Sequence, residues 1–228
     1  MSTVYDLKSS SDTTHRIALP KYTLSEELMS AISHGMGALL SVAGLVLCLV
    51  KAARSGSALE IIAAAVYGCS LILLYTMSCL YHSFRPNKAK RVFRVFDHCT
   101  IFILIFGSYT PFTLITLHGT TGWILFGVIL AVAIVGIVLN AVNLKKFAAF
   151  SMVCYLAMGW AIVAILGMTL RALTLPGFLW LLGGGLCYTV GAVFYGIGKK
   201  RRYMHGVFHL FVNAGSLLQA IAILRYVL

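Results

Sequence analysis

Long apolar runs alternate with short polar breaks along this chain of 228 residues. An apolar run of about 20 residues is the length that an α-helix needs to cross the hydrocarbon core of a bilayer. The breaks carry glycine, proline, asparagine or charged residues, which are typical of helix ends. The predicted spans are residues 28–50, 58–81, 95–117, 122–142, 147–169, 175–197 and 205–227. We therefore expect an all-α membrane protein, built as a seven-transmembrane-helix bundle.

Composition changes this picture little but excludes an ordinary soluble domain. Hydrophobic residues make up 60% of the chain and charged residues only 11%, whereas soluble domains carry about 25% charged residues. The pattern predicts a short polar tail at residues 1–26 and a single membrane domain at residues 27–228. Because the tail has no apolar core, we expect no cleavable signal peptide, so the first span directs insertion.

The basic residues predict the orientation of the bundle. The formal net charge is +12, and 14 of the 18 Lys and Arg residues fall in the tail and in the second, fourth and sixth loops. By the positive-inside rule, the N-terminus is cytoplasmic and the C-terminus lies outside. Basic residues between apolar runs favour contact with anionic lipid headgroups at the cytoplasmic face over binding of nucleic acid. The oligomeric state is left open.

Several polar side chains lie within or at the ends of the spans, where burial is costly. A central Asp costs about 2.5–3.5 kcal/mol even by low estimates, so such groups usually face the bundle interior and have partners. The second span ends, and the third and seventh begin, on the same side of the membrane. Polar residues of these three spans are therefore expected at one depth. They are His82, Asp97, His98, His205 and His209, and Ser78 lies four residues before His82 on the same helix face.

Three of these residues have the spacing of a metal site. His205 and His209 are four residues apart, which places both imidazoles on one helix face, and His82 adds a third nitrogen ligand. Three histidines with one open position form the catalytic type of zinc site, where the metal lowers the pKa of a bound water to about 7. A bis-histidine haem is disfavoured, because it needs ligands on opposed helices. Asp97 is the candidate general base, and Ser78 the candidate oxyanion donor.

Other interpretations stay open at this level. The histidines and Asp97 could be interfacial groups that reach water, and the Ser78 hydroxyl could bond the carbonyl four residues earlier. Glu27 and His34 share a face of the first span and are candidates for orienting the metal ligands. Glu27 alone would equally suit a helix N-terminus. His98 must point away from its neighbour and is expected to support the site rather than ligate.

Four motifs occur in order at separated positions. They are Glu27 to His34 with Ser33, Ser78-Cys-Leu-Tyr-His82, Phe96-Asp97-His98 and His205-Gly-Val-Phe-His209. In these motifs the chain resembles the haemolysin III proteins of the progestin and adipoQ receptor family, which includes the adiponectin receptors and is related to the alkaline ceramidases. The resemblance implies zinc held by His82, His205 and His209, with Asp97 on the zinc-bound water and Ser78 nearby. The short tail resembles bacterial members, which implies the inner, plasma membrane.

The leading functional hypothesis is a membrane-embedded zinc hydrolase of a lipid amide or ester, similar to ceramidases and active in membrane lipid homeostasis. One alternative is a non-enzymatic sensor or regulator, in which a structural zinc has a closed coordination shell. A weaker alternative is a cytolytic, haemolysin-like protein. A pore should show polar residues along a full helix face, and the outer halves of these spans are almost wholly apolar.

Overall fold

A computed structural model describes residues 19–228, and the greater part of the predicted polar tail, residues 1–18, lies outside the described residues. The described chain is all-helical and contains no strand. Its helices are α1 (Leu24–Ser55), α2 (Ala58–Ser83), α3 (Lys88–Pro111), α4 (Gly119–Trp160), α5 (Leu166–Ala172), α6 (Leu175–Gly198) and α7 (Met204–Tyr226). A π-helical turn, Phe112–Thr116, extends α3, and a 3₁₀ segment, Ala161–Ile165, joins α4 to α5.

Six helical stretches among residues 19–228 are long and apolar enough to cross a membrane. Five of them, formed by α1, α2, α3 with its π-helical turn, α6 and α7, each match one predicted span. The remaining stretch, Gly119–Ala172, is 54 residues long and covers the two predicted spans at 122–142 and 147–169. The all-helical membrane architecture is thus confirmed.

The chain folds back on itself inside α4. Asn143 has non-helical backbone angles, with φ −158° and ψ 87°. Across this break, the Ser151 hydroxyl donates to Asn140 Oδ1 at 2.6 Å, and Asn140 Nδ2 donates to the Tyr155 hydroxyl at 3.2 Å. In one straight helix, residues 140 and 151 would be about 16 Å apart along the axis. The two parts of α4 therefore lie side by side, with Asn143 at the turn.

Local sequence explains where α1, α2 and α3 begin and where α1 ends. Glu26 accepts a hydrogen bond from the Thr23 backbone N–H, a typical pattern at a helix start. Gly56 follows α1 with φ +73°, a left-handed conformation that glycine adopts without strain. Ser57 and Asn87 accept hydrogen bonds from backbone N–H groups in the first turns of α2 and α3.

The helices pack in sequence around an interior cavity. Each of α1 to α3 packs on the next helix, and α7 packs between α1 and α6. The starts of α1, α3 and α7 and the ends of α2 and α6 share one end of the bundle, called here the N-terminal end. The cavity has a volume of about 170 Å³ and is lined by residues of α1, α2, α3, α4, α6 and α7.

Candidate metal centre

Three histidine side chains converge at the N-terminal end of the bundle. His205 Nε2 lies 3.3 Å from His82 Nε2 and 3.2 Å from His209 Nε2. One ring nitrogen of each histidine lies within 4.8 Å of a ring nitrogen of the other two. All three residues are buried. The structure thus brings together the three predicted metal ligands, although 123 residues separate His82 from His205.

Helix geometry places these rings. His205 and His209 lie in the first two turns of α7, four residues apart, so both side chains leave the same helix face. His82 is the penultimate residue of α2, which runs toward the N-terminal end. The short connection from α2 into α3 and the packing of α1 between α2 and α7 hold the two helices in this register.

The distances fit a tetrahedral zinc ion. With Zn–N bonds of 2.0–2.1 Å, two nitrogen ligands at a tetrahedral centre are about 3.3 Å apart. The two measured nitrogen–nitrogen separations, 3.2 and 3.3 Å, agree with this value. The lone pairs of three imidazole nitrogens that point toward one buried position can all be accepted by a single cation. The donor set therefore fits a metal, and nitrogen donors in this geometry suit zinc.

Glu27 sets the orientation of one candidate ligand, His82. Its Oε2 lies 2.7 Å from His82 Nδ1, and because a carboxylate only accepts, Nδ1 carries the proton. The other ring nitrogen, Nε2, then presents its lone pair to the two histidines of α7. A carboxylate on the far nitrogen is the usual partner of a metal-binding histidine.

Lys90 completes this arrangement and was not predicted. Its Nζ donates to Glu27 Oε1 at 2.7 Å and to the Phe84 carbonyl at 3.0 Å, and the residue is only 2% exposed. Asn87 accepts from the Lys90 backbone N–H, which sets the start of α3 at this point. In the sequence Lys90 is one of several basic residues in a loop, where a lysine is usually solvated. No sequence pattern therefore distinguishes it as a residue of the site.

Three other predicted residues line the cavity beside the histidines. Ser78 is buried, and its hydroxyl has no hydrogen-bond partner, so it does not bond the carbonyl four residues earlier. Asp97 and His98 also line the cavity. His98 Nδ1 lies 2.9 Å from the Arg94 carbonyl and 3.7 Å from Asp97 Oδ2. His98 therefore bonds its own helix and lies outside the three-histidine cluster.

His34 contacts the metal centre by stacking. Its ring lies 3.7 Å from that of His209 at an interplanar angle of 21°, and Tyr75 meets it edge-on at 5.0 Å. The residue is buried, and neither ring nitrogen has a hydrogen-bond partner. The structure thus places His34 against His209, one of the predicted ligands.

Tyr22, which lies just before α1, also contacts the centre and was not predicted. Its ring stacks on His205 at 5.0 Å and 18° and lies 6.1 Å from the His82 ring. Burial raises the pKa of the Tyr22 phenol above its ordinary value of 10.0, so the hydroxyl is neutral near pH 7. An isolated tyrosine near a membrane interface is common, and its sequence position carries no sign of this contact.

The cavity extends from the histidines into the apolar interior. Along α7 it is lined from His205 to Gln219, which corresponds to about 21 Å of helix. Most of its other lining is apolar, for example Leu74, Ile101 and Leu104. The site therefore combines a polar cluster at the N-terminal end with an apolar cavity that continues from it.

Comparison with known proteins gives matches over most of the chain. The sequence profile of the family described as Haemolysin-III related matches residues 22–220. The chain is 41% identical over 205 residues to Hemolysin-3 of Bacillus cereus, covering 90% of this chain and 93% of the relative. It is 39% identical over 205 residues to the Hemolysin-3 homolog of Bacillus subtilis (strain 168), covering 90% and 96%.

A more distant similarity reaches animal proteins. The human Monocyte to macrophage differentiation factor is 26% identical over 172 residues, which cover 73% of this chain and 71% of the relative. No solved structure matches the chain significantly.

Proposed function

This chain belongs to the haemolysin III-related family, and from that premise we propose that it is a membrane-embedded, zinc-dependent hydrolase of a lipid amide or ester. The observation that carries the proposal is the buried cluster of His82, His205 and His209 at the mouth of an apolar cavity. A zinc ion bound there supplies a Lewis acid that activates water at neutral pH.

The side chains around the histidines have the roles that such a hydrolysis requires. Asp97 accepts a proton from the attacking water and returns one to the leaving group, since its carboxyl group lines the same cavity. Ser78 donates its unpartnered hydroxyl to the developing oxyanion. Glu27 keeps His82 in the ligating tautomer, and Lys90 balances the Glu27 charge.

The cavity favours a lipid as the substrate. A lipid acyl chain needs an apolar space next to the reacting carbonyl, and the lining from the histidines to Gln219 provides one inside the bundle. A small polar substrate would leave that apolar surface unused. We propose that the reacting amide or ester lies beside the histidines and that the acyl chain follows α7.

We further propose seven membrane crossings, with the N-terminal end of the bundle in the cytoplasm of an inner, plasma membrane. The fold-back at Asn143 supports the count, because it divides the 54-residue stretch into two lengths of membrane-crossing size. The distribution of Lys and Arg supports the orientation. In this orientation the basic loops meet anionic headgroups, the proposed partners at that face.

The first test is metal content. Protein purified in mild detergent should contain about one zinc per chain by elemental analysis. The His205→Ala/His209→Ala variant should lose the zinc, whereas His118→Ala, at an exposed histidine, should keep it. Folding of each variant is checked by size-exclusion chromatography and thermal unfolding. Folded wild-type protein without zinc would refute the proposal.

The second test addresses the reaction. Asp97→Asn should keep zinc but lower lipid amide or ester hydrolysis by about 10²-fold or more, because general acid–base catalysis contributes about that factor. An Asp97→Asn variant with full turnover would overturn the assigned role. Wild-type protein that contains zinc but turns over no lipid would instead favour a structural zinc in a sensor or regulator.

A further inference from the structure

We propose that Tyr22 is a gate residue: its ring covers the proposed metal centre at the N-terminal end, and the non-helical segment of residues 19–23 must move aside for a metal ion or a water-soluble product to pass. The inference rests on the proposed metal site. It adds an access route that none of the predicted site residues provides.

The first observation is the cover itself. His205 lies in the first turn of α7, at the end of the bundle, yet it is only 8% exposed. The Tyr22 ring stacks nearly parallel on the His205 ring, with 5.0 Å between centroids. The same ring is 6.1 Å from the ring of His82. One side chain thus lies against ligands from two different helices.

The second observation is that Tyr22 lies outside any helix, whereas the other aromatic residues that contact His205 lie in helices. Tyr195 and Phe208 also contact His205, at 5.8 and 5.6 Å between ring centroids. They belong to α6 and α7 and are fixed by helix packing. Tyr22 lies in residues 19–23, which precede α1 and are not helical, and of these only Thr23 joins the helical hydrogen bonds, through its carbonyl. Such a segment opens at a lower free energy than a packed helix.

The third observation is a clasp that holds this segment down. The Glu26 carboxylate accepts from the Thr23 backbone N–H at 2.9 Å and from the Tyr203 backbone N–H at 2.8 Å. The hydroxyls of Ser25 and Tyr203 are 3.1 Å apart. Tyr203 has φ +62°, a left-handed conformation that is strained for a tyrosine, and this conformation accompanies the contact with Glu26. The clasp ties the beginning of α1 to the loop before α7.

Together these contacts define a closed state with a separable cover. The ring covers the ligands, and the clasp can release without breaking any helix. The apolar cavity lies on the inner side of the histidines, so the lipid chain and the water-soluble species use opposite sides of the site. Release of the polar product and exchange of the metal are therefore the steps that depend on Tyr22.

The test measures metal release rather than catalysis. Zinc-loaded protein in detergent is mixed with the water-soluble chelator 4-(2-pyridylazo)resorcinol, and the rate of zinc transfer is followed by absorbance. Tyr22→Ala should release zinc roughly twofold to tenfold faster, the range expected from loss of one aromatic contact. Tyr22→Phe keeps the ring and should release zinc at the wild-type rate. Leu24→Ala is the matched control, since Leu24 is 76% exposed.

A second variant separates the gate from simple loss of packing. Glu26→Ala removes the clasp and leaves the Tyr22 ring intact, so it should also accelerate release. If Tyr22→Ala does not fold, the release rate of Glu26→Ala tests the gate instead. Zinc-containing variants whose release rates equal the wild-type rate would overturn the gate while leaving the metal site in place. Folded wild-type protein with no zinc would instead show that the proposed function itself has failed.

Discussion

At the residue scale, Glu27 connects the metal centre to the start of α3. One of its oxygens accepts from His82 and the other from Lys90, each at 2.7 Å. A carboxylate at this depth would be costly alone, but the buried ammonium group and the imidazole N–H compensate its charge. The pair thus allows an acid to lie behind a candidate metal ligand within an apolar bundle.

This arrangement predicts a metal-affinity defect for Glu27→Ala. Without the carboxylate, His82 loses the partner that sets its tautomer, and zinc affinity should fall by about 10–100-fold. The measurement is competitive titration against a chelator of known affinity. Glu60→Ala, which removes an acid from the first turn of α2, is the control and should bind zinc as the wild type does. Equal affinities for the two variants would contradict the role of Glu27.

Two buried serines should respond in opposite ways to the same substitution. Ser78 has no hydrogen-bond partner, so Ser78→Ala should leave the free energy of unfolding unchanged or slightly higher. Ser216 Oγ lies 2.7 Å from the hydroxyls of both Tyr75 and Tyr188, and Ser216→Ala should cost about 1–3 kcal/mol. Thermal unfolding in detergent measures both. A large stability loss in Ser78→Ala would show that its hydroxyl has a structural partner.

The sequence predicted the three histidines because spacing and shared membrane depth were sufficient to group them. Residues such as Lys90 and Tyr22 could not be found in this way. Their contacts depend on the path of a loop and of the segment before α1, which hydrophobic periodicity does not describe. The roles of Asp97, Ser78, His34 and His98 remain predictions, although all four lie against the cavity or the histidines.

At the element scale, the break in α4 follows from its sequence. Residues 143–146, Asn-Leu-Lys-Lys, were predicted as a connection between spans, and the backbone leaves the helical conformation at Asn143. The start of α3 was harder to predict from the sequence. The apolar run predicted a start near residue 95, whereas α3 begins at Lys88, because a basic turn capped by Asn87 precedes the apolar part.

Close packing between α4 and the π-helical turn predicts a contrast between two glycines of one helix. A Cβ atom at Gly122 would meet the Thr113 backbone carbonyl, so Gly122→Ala should lower the free energy of unfolding by about 1–3 kcal/mol. A Cβ atom at Gly127 would find nothing within 4 Å, so Gly127→Ala should be neutral or stabilising by about 0.5–1 kcal/mol. Thermal unfolding tests both variants, and equal effects would contradict this packing.

At the scale of the whole molecule, the proposed orientation predicts which loops face the cytoplasm. Lys145→Cys and His118→Cys are placed at exposed positions in a protein whose six native cysteines have been replaced. In intact cells a membrane-impermeant maleimide should label His118→Cys, and Lys145→Cys only after permeabilisation. Labelling of Lys145→Cys but not of His118→Cys in intact cells would show the opposite orientation. Labelling of both would contradict a crossing between them.

The fold-back of α4 also has a consequence for the order in which the protein is assembled during synthesis. The Ser151 hydroxyl donates to Asn140 Oδ1 within one hairpin, so this contact can form before the later helices are made. The candidate metal centre needs two helices that are far apart in the sequence, because His82 lies on α2 and His205 and His209 lie on α7. A zinc ion bound by all three histidines, as we propose, can therefore be held only after α7 has been synthesised and has packed beside α2.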